Sequence, residues 1–260
     1  MQVVILCGGL GTRLREETGF RPKPMVEVGG RPILWHIMKT YAYYGFNEFV
    51  LCLGYKGELI REFFLHYEAL NSDVTVKLGS KSEFIYHSKH TEDGWSITLA
   101  DTGENSMTGS RIKKIEKYIK GDDFMLTYGD GLADIDIKAL LDFHKKHNKI
   151  GTVTGVNFHS HFGALGNKGD SVTEFNEKPL SDGRISGGFF VFKKKFFDYL
   201  SAEDSCVLEQ KPLEALTKKG ELKMYTHDGA WQCMDTYRDH QLLQSMWQKG
   251  NAFWKVWKDE

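Results

Sequence analysis

The chain has 260 residues, 41% of them hydrophobic, and a formal net charge of −1. That balance speaks against a nucleic-acid or membrane-surface partner, either of which asks for a basic face, and no run reaches the ~18 apolar residues of a membrane span. The four cysteines, at 7, 52, 206 and 233, show no C-x-x-C spacing. Free thiols in a reducing cytoplasm are expected, and no leader pattern precedes the first apolar run.

Val3-Val4-Ile5-Leu6 reads as a buried first strand, and Gly8, Gly9 and Gly11 occupy the turn after it. The turn runs on through Leu10, Thr12 and Arg13, and Lys23 follows between Pro22 and Pro24. Glycine lets a backbone approach a ligand closely, and N–H groups with two fixed cations make a polyphosphate cradle. The lookalikes are separable. A dinucleotide fingerprint needs a third glycine where Leu14 stands, and a P-loop needs a Gly-Lys pair that the chain lacks. A bare Gly-Gly pair would be an ordinary βα turn; the flanking Arg13 and proline-pinned Lys23 favour a nucleoside triphosphate site.

The spacing then predicts a helix from Pro32 to about Tyr44, stopped by Gly45, and a buried strand over residues 49–53. A helix near 59–70 and a short strand around 74–77 follow. Residues 80–95 read as a polar excursion, with a hairpin around 84–86. Residues 124–128 form a strand ending at Gly129-Asp130-Gly131, and 137–147 a helix. Residues 152–156 and 188–192 are strands, and a last helix near 237–247 leads into an aromatic tail. Alternating strands and helices predict an α/β fold, a mostly parallel sheet flanked by helices.

Asp130 falls just past the carboxyl end of a strand, where open α/β sheets bind ligands, and its carboxylate suits a Mg²⁺ bridging to phosphates; a plain Gly-Asp-Gly turn is the alternative. Asp235 is the one acid in Trp231–Thr236, and reads either as a second metal ligand or as a helix N-cap. Glu177 and Lys178, fixed by Pro179, suit sugar hydroxyls and a substrate phosphate, or form a solvated charge pair. Gly187-Gly188 lines the same pocket or forms a bulge. The polar loop 101–111 offers Ser106 and Arg111 as readers of a base edge, unless Thr108 or Ser110 caps a helix there. His144 and His147 lack a third metal ligand, as do His159 and His161, and read as core or surface residues. Asp134-Ile135-Asp136 spells the metal motif of glycosyltransferases but sits at a helix start.

Together these residues resemble the sugar-1-phosphate nucleotidylyltransferases. Gly8–Leu14 with Pro22-Lys23-Pro24-Met25 looks like that family's signature, and Gly129-Asp130, Glu177-Lys178-Pro179 and Asp235 stand where its later motifs stand. Pro32–Lys39, Leu53–Gly57, Asp101–Gly103, Ser106–Gly109, Thr127–Gly131 and Gly187–Val191 are similar to its cytidylyl branch. The likeness runs nearly end to end, with Ser186, Cys233 and Gly166 departing from the pattern. It implies a Rossmann-like mixed sheet with small sugar-side and C-terminal additions in one domain over 1–260. Residues 1–135 would be the nucleotide part, 136–240 the sugar-phosphate part and 241–260 a C-terminal tail. It further implies CTP and glucose 1-phosphate as substrates, Mg²⁺ as cofactor, a cytoplasmic place in making surface polysaccharide precursors, and a homo-oligomer, often a hexamer. Its site would comprise Leu6–Arg13, Lys23, Ser106, Arg111 and Gly129 on the nucleotide, Gly163, Glu177, Lys178 and Gly188 on the sugar phosphate, and Asp130 and Asp235 on the metal. Arg13 and Lys23 would be catalytic. A nucleotidylyltransferase for a different sugar 1-phosphate, and a regulatory relative that binds a nucleotide sugar without turnover, are the other readings.

Overall fold

A computed structural model of the protein describes residues 1–80, 82–87, 90–157, 164–168, 170–176 and 183–258. Seven strands form the central sheet: β1 (Gln2–Leu6), β2 (Glu48–Leu53), β3 (Ser96–Asp101), β4 (Asp123–Tyr128), β5 (Gly151–Val156), β6 (Ile185–Lys193) and β7 (Leu222–His227). Their order is β7-β5-β6-β4-β1-β2-β3. All pairs are parallel except the two made by β6, which runs antiparallel to both β4 and β5. The expected mixed, mostly parallel sheet is therefore present.

Burial follows the two-residue period of a strand. Val3 and Ile5 of β1 enter the core on one face, with helix Ile33–Tyr43 and the C-terminal helix Tyr237–Gln248. Val4 and Leu6 enter the other, with helix Thr108–Lys114 and Phe190, Phe192, Phe196 and Phe197. Because both faces are covered, central strands are continuous apolar runs. The stretch expected as one helix near 59–70 is two, Gly57–Leu65 and Tyr67–Asn71, broken at His66. Val74–Lys77 pairs antiparallel with Glu83–Tyr86, so the strand expected at 74–77 and the hairpin expected around 84–86 are the two arms of one ribbon. The aromatic tail is core: Trp254 and Trp257 are buried against Trp35, His36 and Trp247.

Chain order sets the position of the site. From β1 the chain moves outward through β2 and β3, then crosses back to place β4 on the other side of β1. The carboxyl ends of β1 and β4 thus flank a topological switch point, where open sheets leave a crevice.

Candidate active site

The crevice is a cavity of about 470 Å³. Residues Leu6 to Arg13, Lys23, Ser106, Arg111, Gly129, Asp130 and Asp235 all line it. Register explains the meeting of the two glycine segments. Leu6 pairs with Tyr128 across β1 and β4, and Gly129 N donates to Leu6 O at 3.0 Å. A Cβ on Gly129 would lie 2.8 Å from Leu6 O and 2.9 Å from Pro24 Cγ. Glycine there lets the Lys23–Met25 turn press against the end of β4.

Asp130 and Asp235 are 105 positions apart and meet through a two-stranded ribbon. Gly131–Ala133 pairs antiparallel with Trp231–Cys233, and Met234 N donates to Asp130 O at 2.9 Å. Lys23 Nζ then lies between the two carboxylates, 2.6 Å from Asp130 Oδ2 and 2.5 Å from Asp235 Oδ1. Arg13 Nη1 reaches Asp235 Oδ2 at 2.8 Å. Burial works to lower the Lys23 pKa, but the Asp130 charge and the hydrogen bonds to both acids outweigh it, and the net shift is upward. Burial works to raise Asp235, but the Lys23 hydrogen bond and charge, with Arg13, hold its carboxyl below the usual range. Burial, reinforced by Asp235 and Asp130, pushes the Cys233 thiol up to about 12, so it stays protonated.

Asp235 is not the N-cap of the following helix. Thr236 takes that position in a capping box with Asp239. Asp136 caps helix Ile137–His147 through Ala139 N, and Asp134 pairs with His227, so neither faces the crevice as a metal motif would. His144 and His147 share the Thr152 hydroxyl, and among the described residues they belong to no group of three or more potential metal ligands.

The structure gives Arg111 a different task from the expected one. The residue is 4% exposed, and its guanidinium donates from Nη1 to Leu53 O, Gly103 O and Thr102 Oγ1, and from Nη2 to Gly8 O and Glu104 O. Its terminal donors are committed to four main-chain carbonyls and the Thr102 hydroxyl, which leaves none turned to a base edge. A Cβ on Gly8 or Gly54 would fall 2.3 Å from that guanidinium. Ser106 Oγ likewise faces Thr102 O and Asp204 Oδ1. The helix behind this loop, Thr108–Lys114, has no side-chain cap, so Thr108 and Ser110 are not caps.

Gly188 does not line the crevice. It has φ +79°, and a Cβ there would meet the Tyr128 ring at 2.4 Å. The β5–β6 register shifts across Gly187-Gly188, which is the bulge. Gly163, Glu177 and Lys178, with His159 and His161, lie outside the described residues. The sequence reading missed Glu104 and Asn105, which also line the cavity, and Glu209, which accepts from the Tyr128 hydroxyl. Glu104 and Asn105 lie in the flagged 101–111 loop; nothing local marks Glu209.

The Asp130–Asp235 pair fits a hard divalent cation. The two carboxylates already grip one cation, the Lys23 ammonium, and two carboxylates completed by phosphate oxygens and water are the usual Mg²⁺ set.

Comparison with known proteins agrees with this architecture. The chain is 48% identical over 260 residues, 99% of its own length and all of the relative's, to a glucose-1-phosphate cytidylyltransferase of Salmonella typhimurium. It is 45% identical over 257 residues to a probable glucose-1-phosphate cytidylyltransferase of Bacillus subtilis, covering 99% of this chain and all of that one. A putative glucose-1-phosphate thymidylyltransferase structure from Bacillus anthracis superposes with TM-score 0.71 at 18% identity, over 100% of this chain and 98% of that one, and shares the fold. The nucleotidyl transferase family model matches residues 2–259, and the chain belongs to that family.

Proposed function

We infer that this chain transfers the cytidylyl group of CTP to glucose 1-phosphate, giving CDP-glucose and pyrophosphate. The observation that carries the reaction class is the convergence of Lys23, Asp130 and Asp235 beside the glycine turn. Full-length identity of 45–48% to cytidylyltransferases supports the choice of CTP and glucose 1-phosphate.

The chemistry is an in-line displacement. An oxygen of the sugar phosphate attacks the α-phosphorus of CTP, the bond to the β-phosphate oxygen breaks, and pyrophosphate leaves. Such a reaction needs positioning and charge neutralisation more than covalent help. The Gly8–Gly11 backbone would cradle the nucleotide, with Leu6, Cys7, Leu10, Thr12 and Gly129 shaping its walls. Arg13 would neutralise the leaving pyrophosphate. Lys23, the least exposed cation of the trio's network, would pass from the carboxylates to the α-phosphate. Asp130 and Asp235 would hold Mg²⁺, which when bound supplies charge neutralisation on phosphate oxygens. Ser106 and Arg111 would act on the base by holding the loop that frames it, and Glu177, Lys178 and Gly163 would serve the sugar phosphate. Residues 1–135 would then carry the nucleotide, and 136–240 the sugar phosphate.

Among the described residues no helix is long and apolar enough to cross a membrane. We place the protein in the cytoplasm, where CTP is available, and assign it to surface polysaccharide precursor synthesis. We also take it as a homo-oligomer: Val76, Phe84 and Tyr86 form an exposed apolar face on the Val74–Lys77/Glu83–Tyr86 ribbon, and such a ribbon alone is marginally stable. One assay grid tests the function: each nucleoside triphosphate against several sugar 1-phosphates with Mg²⁺, read as pyrophosphate. CTP with glucose 1-phosphate should dominate; faster release with another pair overturns the assignment.

A further inference from the structure

The outer wall of the nucleotide side is held by a segment with no place in the reaction so far. Residues 202–209 run along the back of the loop 104–110. Met107 N donates to Asp204 O at 2.8 Å, Ser110 N to Cys206 O at 3.1 Å, and Ser110 Oγ to Ala202 O at 3.0 Å. Gly109 makes the approach possible, since a Cβ there would lie 2.7 Å from Cys206 Sγ and 3.0 Å from Cys206 O. At the end of this segment stands Glu209. Thr108 Oγ1 donates to its Oε2 at 2.8 Å, and the Tyr128 hydroxyl donates to its Oε1. The Thr108 hydroxyl is itself oriented by Leu208 N, which donates to it at 2.9 Å.

Thr108 and Tyr128 both line the cavity, and Glu209 does not line it. Tyr128 ends β4, two residues before Asp130, and its ring seats against Gly188 of β6. A carboxylate only accepts, and here each oxygen takes one donor, one from the start of helix Thr108–Lys114 and one from the end of β4. We propose that Glu209 is a positioning residue that braces the nucleotide-side loop against the end of β4, two residues before Asp130. A loop fixed before binding loses less conformational freedom when the nucleotide arrives, so the brace acts on affinity. The inference rests on the proposed use of CTP.

Glu209 is exposed, so replacing it perturbs folding little, and binding can be read directly. The experiment is calorimetric titration of CTP with Mg²⁺, together with steady-state kinetics of pyrophosphate release, on wild type, Glu209→Ala and Glu209→Gln. Glu209→Ala should weaken CTP binding about 5- to 10-fold, the loss of roughly one net hydrogen bond, and raise KM for CTP in step, with kcat changing less than about twofold. Glu209→Gln should recover most of the loss, because its carbonyl accepts from Thr108 and its amide donates to the Tyr128 oxygen. In the Glu209→Ala background, Tyr128→Phe should add no further loss of affinity. An alanine variant with CTP affinity within about twofold of wild type overturns the brace. So does a loss of affinity that glutamine fails to restore, or one that comes with a large fall in melting temperature. A wild-type chain that binds CTP but releases no pyrophosphate with any sugar phosphate overturns the proposed function, while the binding arm still decides the brace. A wild type that binds no CTP overturns both.

Discussion

Replacing Lys23 by methionine keeps the length of the side chain and removes its charge. In the protein this side chain is 13% exposed, and its ammonium lies 2.6 Å from Asp130 Oδ2 and 2.5 Å from Asp235 Oδ1. Those oxygens can be no farther apart than the two arms laid end to end, so without Lys23 two carboxylates face each other at ~5 Å. At an effective dielectric of ~20 that repulsion is about 3 kcal/mol. In chelator at pH 7.5, Lys23→Met should therefore lose ~2–3 kcal/mol of stability, part of it relieved by Arg13 on Asp235. The pH dependence should invert. In wild type the depressed Asp235 contributes stability above the ordinary carboxylate pKa, and it is lost as pH falls through the folded value. In the variant, like-charge repulsion raises a carboxyl pKa, so stability is regained as pH falls toward 5. Adding Mg²⁺ should restore stability at pH 7.5 by binding the folded state alone. Turnover should fall about 10²-fold or more, the usual cost of removing one charge from a transition state. Urea unfolding in EDTA and in Mg²⁺, paired with pyrophosphate release, measures both halves. Near-normal turnover, or a stability indifferent to pH and Mg²⁺, refutes the reasoning.

Arg111→Lys should cost about 2–4 kcal/mol and weaken CTP binding strongly, because one ammonium cannot reach all the acceptors of the guanidinium and leaves buried carbonyls unpaired; thermal unfolding and CTP titration check it, and unchanged values for both contradict it. Stability should decline between pH 6.5 and 4. His36 is buried between Val28 O and the Trp254 indole N–H, which fixes it neutral, and burial lowers its pKa to about 4. Burial also lowers His144 to about 4, against the pull of Asp123. The unfolded chain takes up these protons first, so each histidine removes at most ~1.4 kcal/mol per pH unit as pH falls through that window. Urea midpoints at pH 7, 6 and 5 test this, and equal midpoints exclude it. Trp254→Ala should destabilise by ~3–5 kcal/mol, because the indole is wholly buried against Trp247 and His36; a chemical denaturation midpoint near that of wild type would show the tail to be an appendage.

Periodicity carried most of the secondary structure. Helices 33–43, 137–147 and 237–248 and the apolar strands lie within a few residues of their expected bounds, because each buries a continuous stripe or run. The break at His66 was illegible, since the apolar pattern runs on across it. The glycine turn and Lys23 were legible because their chemistry is local. The meeting of Asp130 with Asp235 was not derivable from spacing. It depends on a ribbon of three-residue strands, Gly131–Ala133 and Trp231–Cys233, too short to show alternation. Arg111 was read by the donors it owns, but its task follows from where carbonyls of Gly8, Leu53, Gly103 and Glu104 happen to converge. Local sequence carries no record of such acceptors, and the same blindness hid Glu209.

The guanidinium of Arg111 makes positions 8, 54 and 111 a single unit of change. A methyl group at Gly8 or Gly54 collides with it, and a shorter side chain at 111 leaves a void that neither glycine can fill alone. Random libraries that vary these positions one at a time will return mostly collapsed cradles. An engineer seeking another base should leave that trio untouched and diversify the side chains at 104, 105 and 107. They border the same cavity, and the hydrogen bonds of Glu104 and Met107 run through their backbone groups. The keystone can then stay in place while the wall it supports is rebuilt.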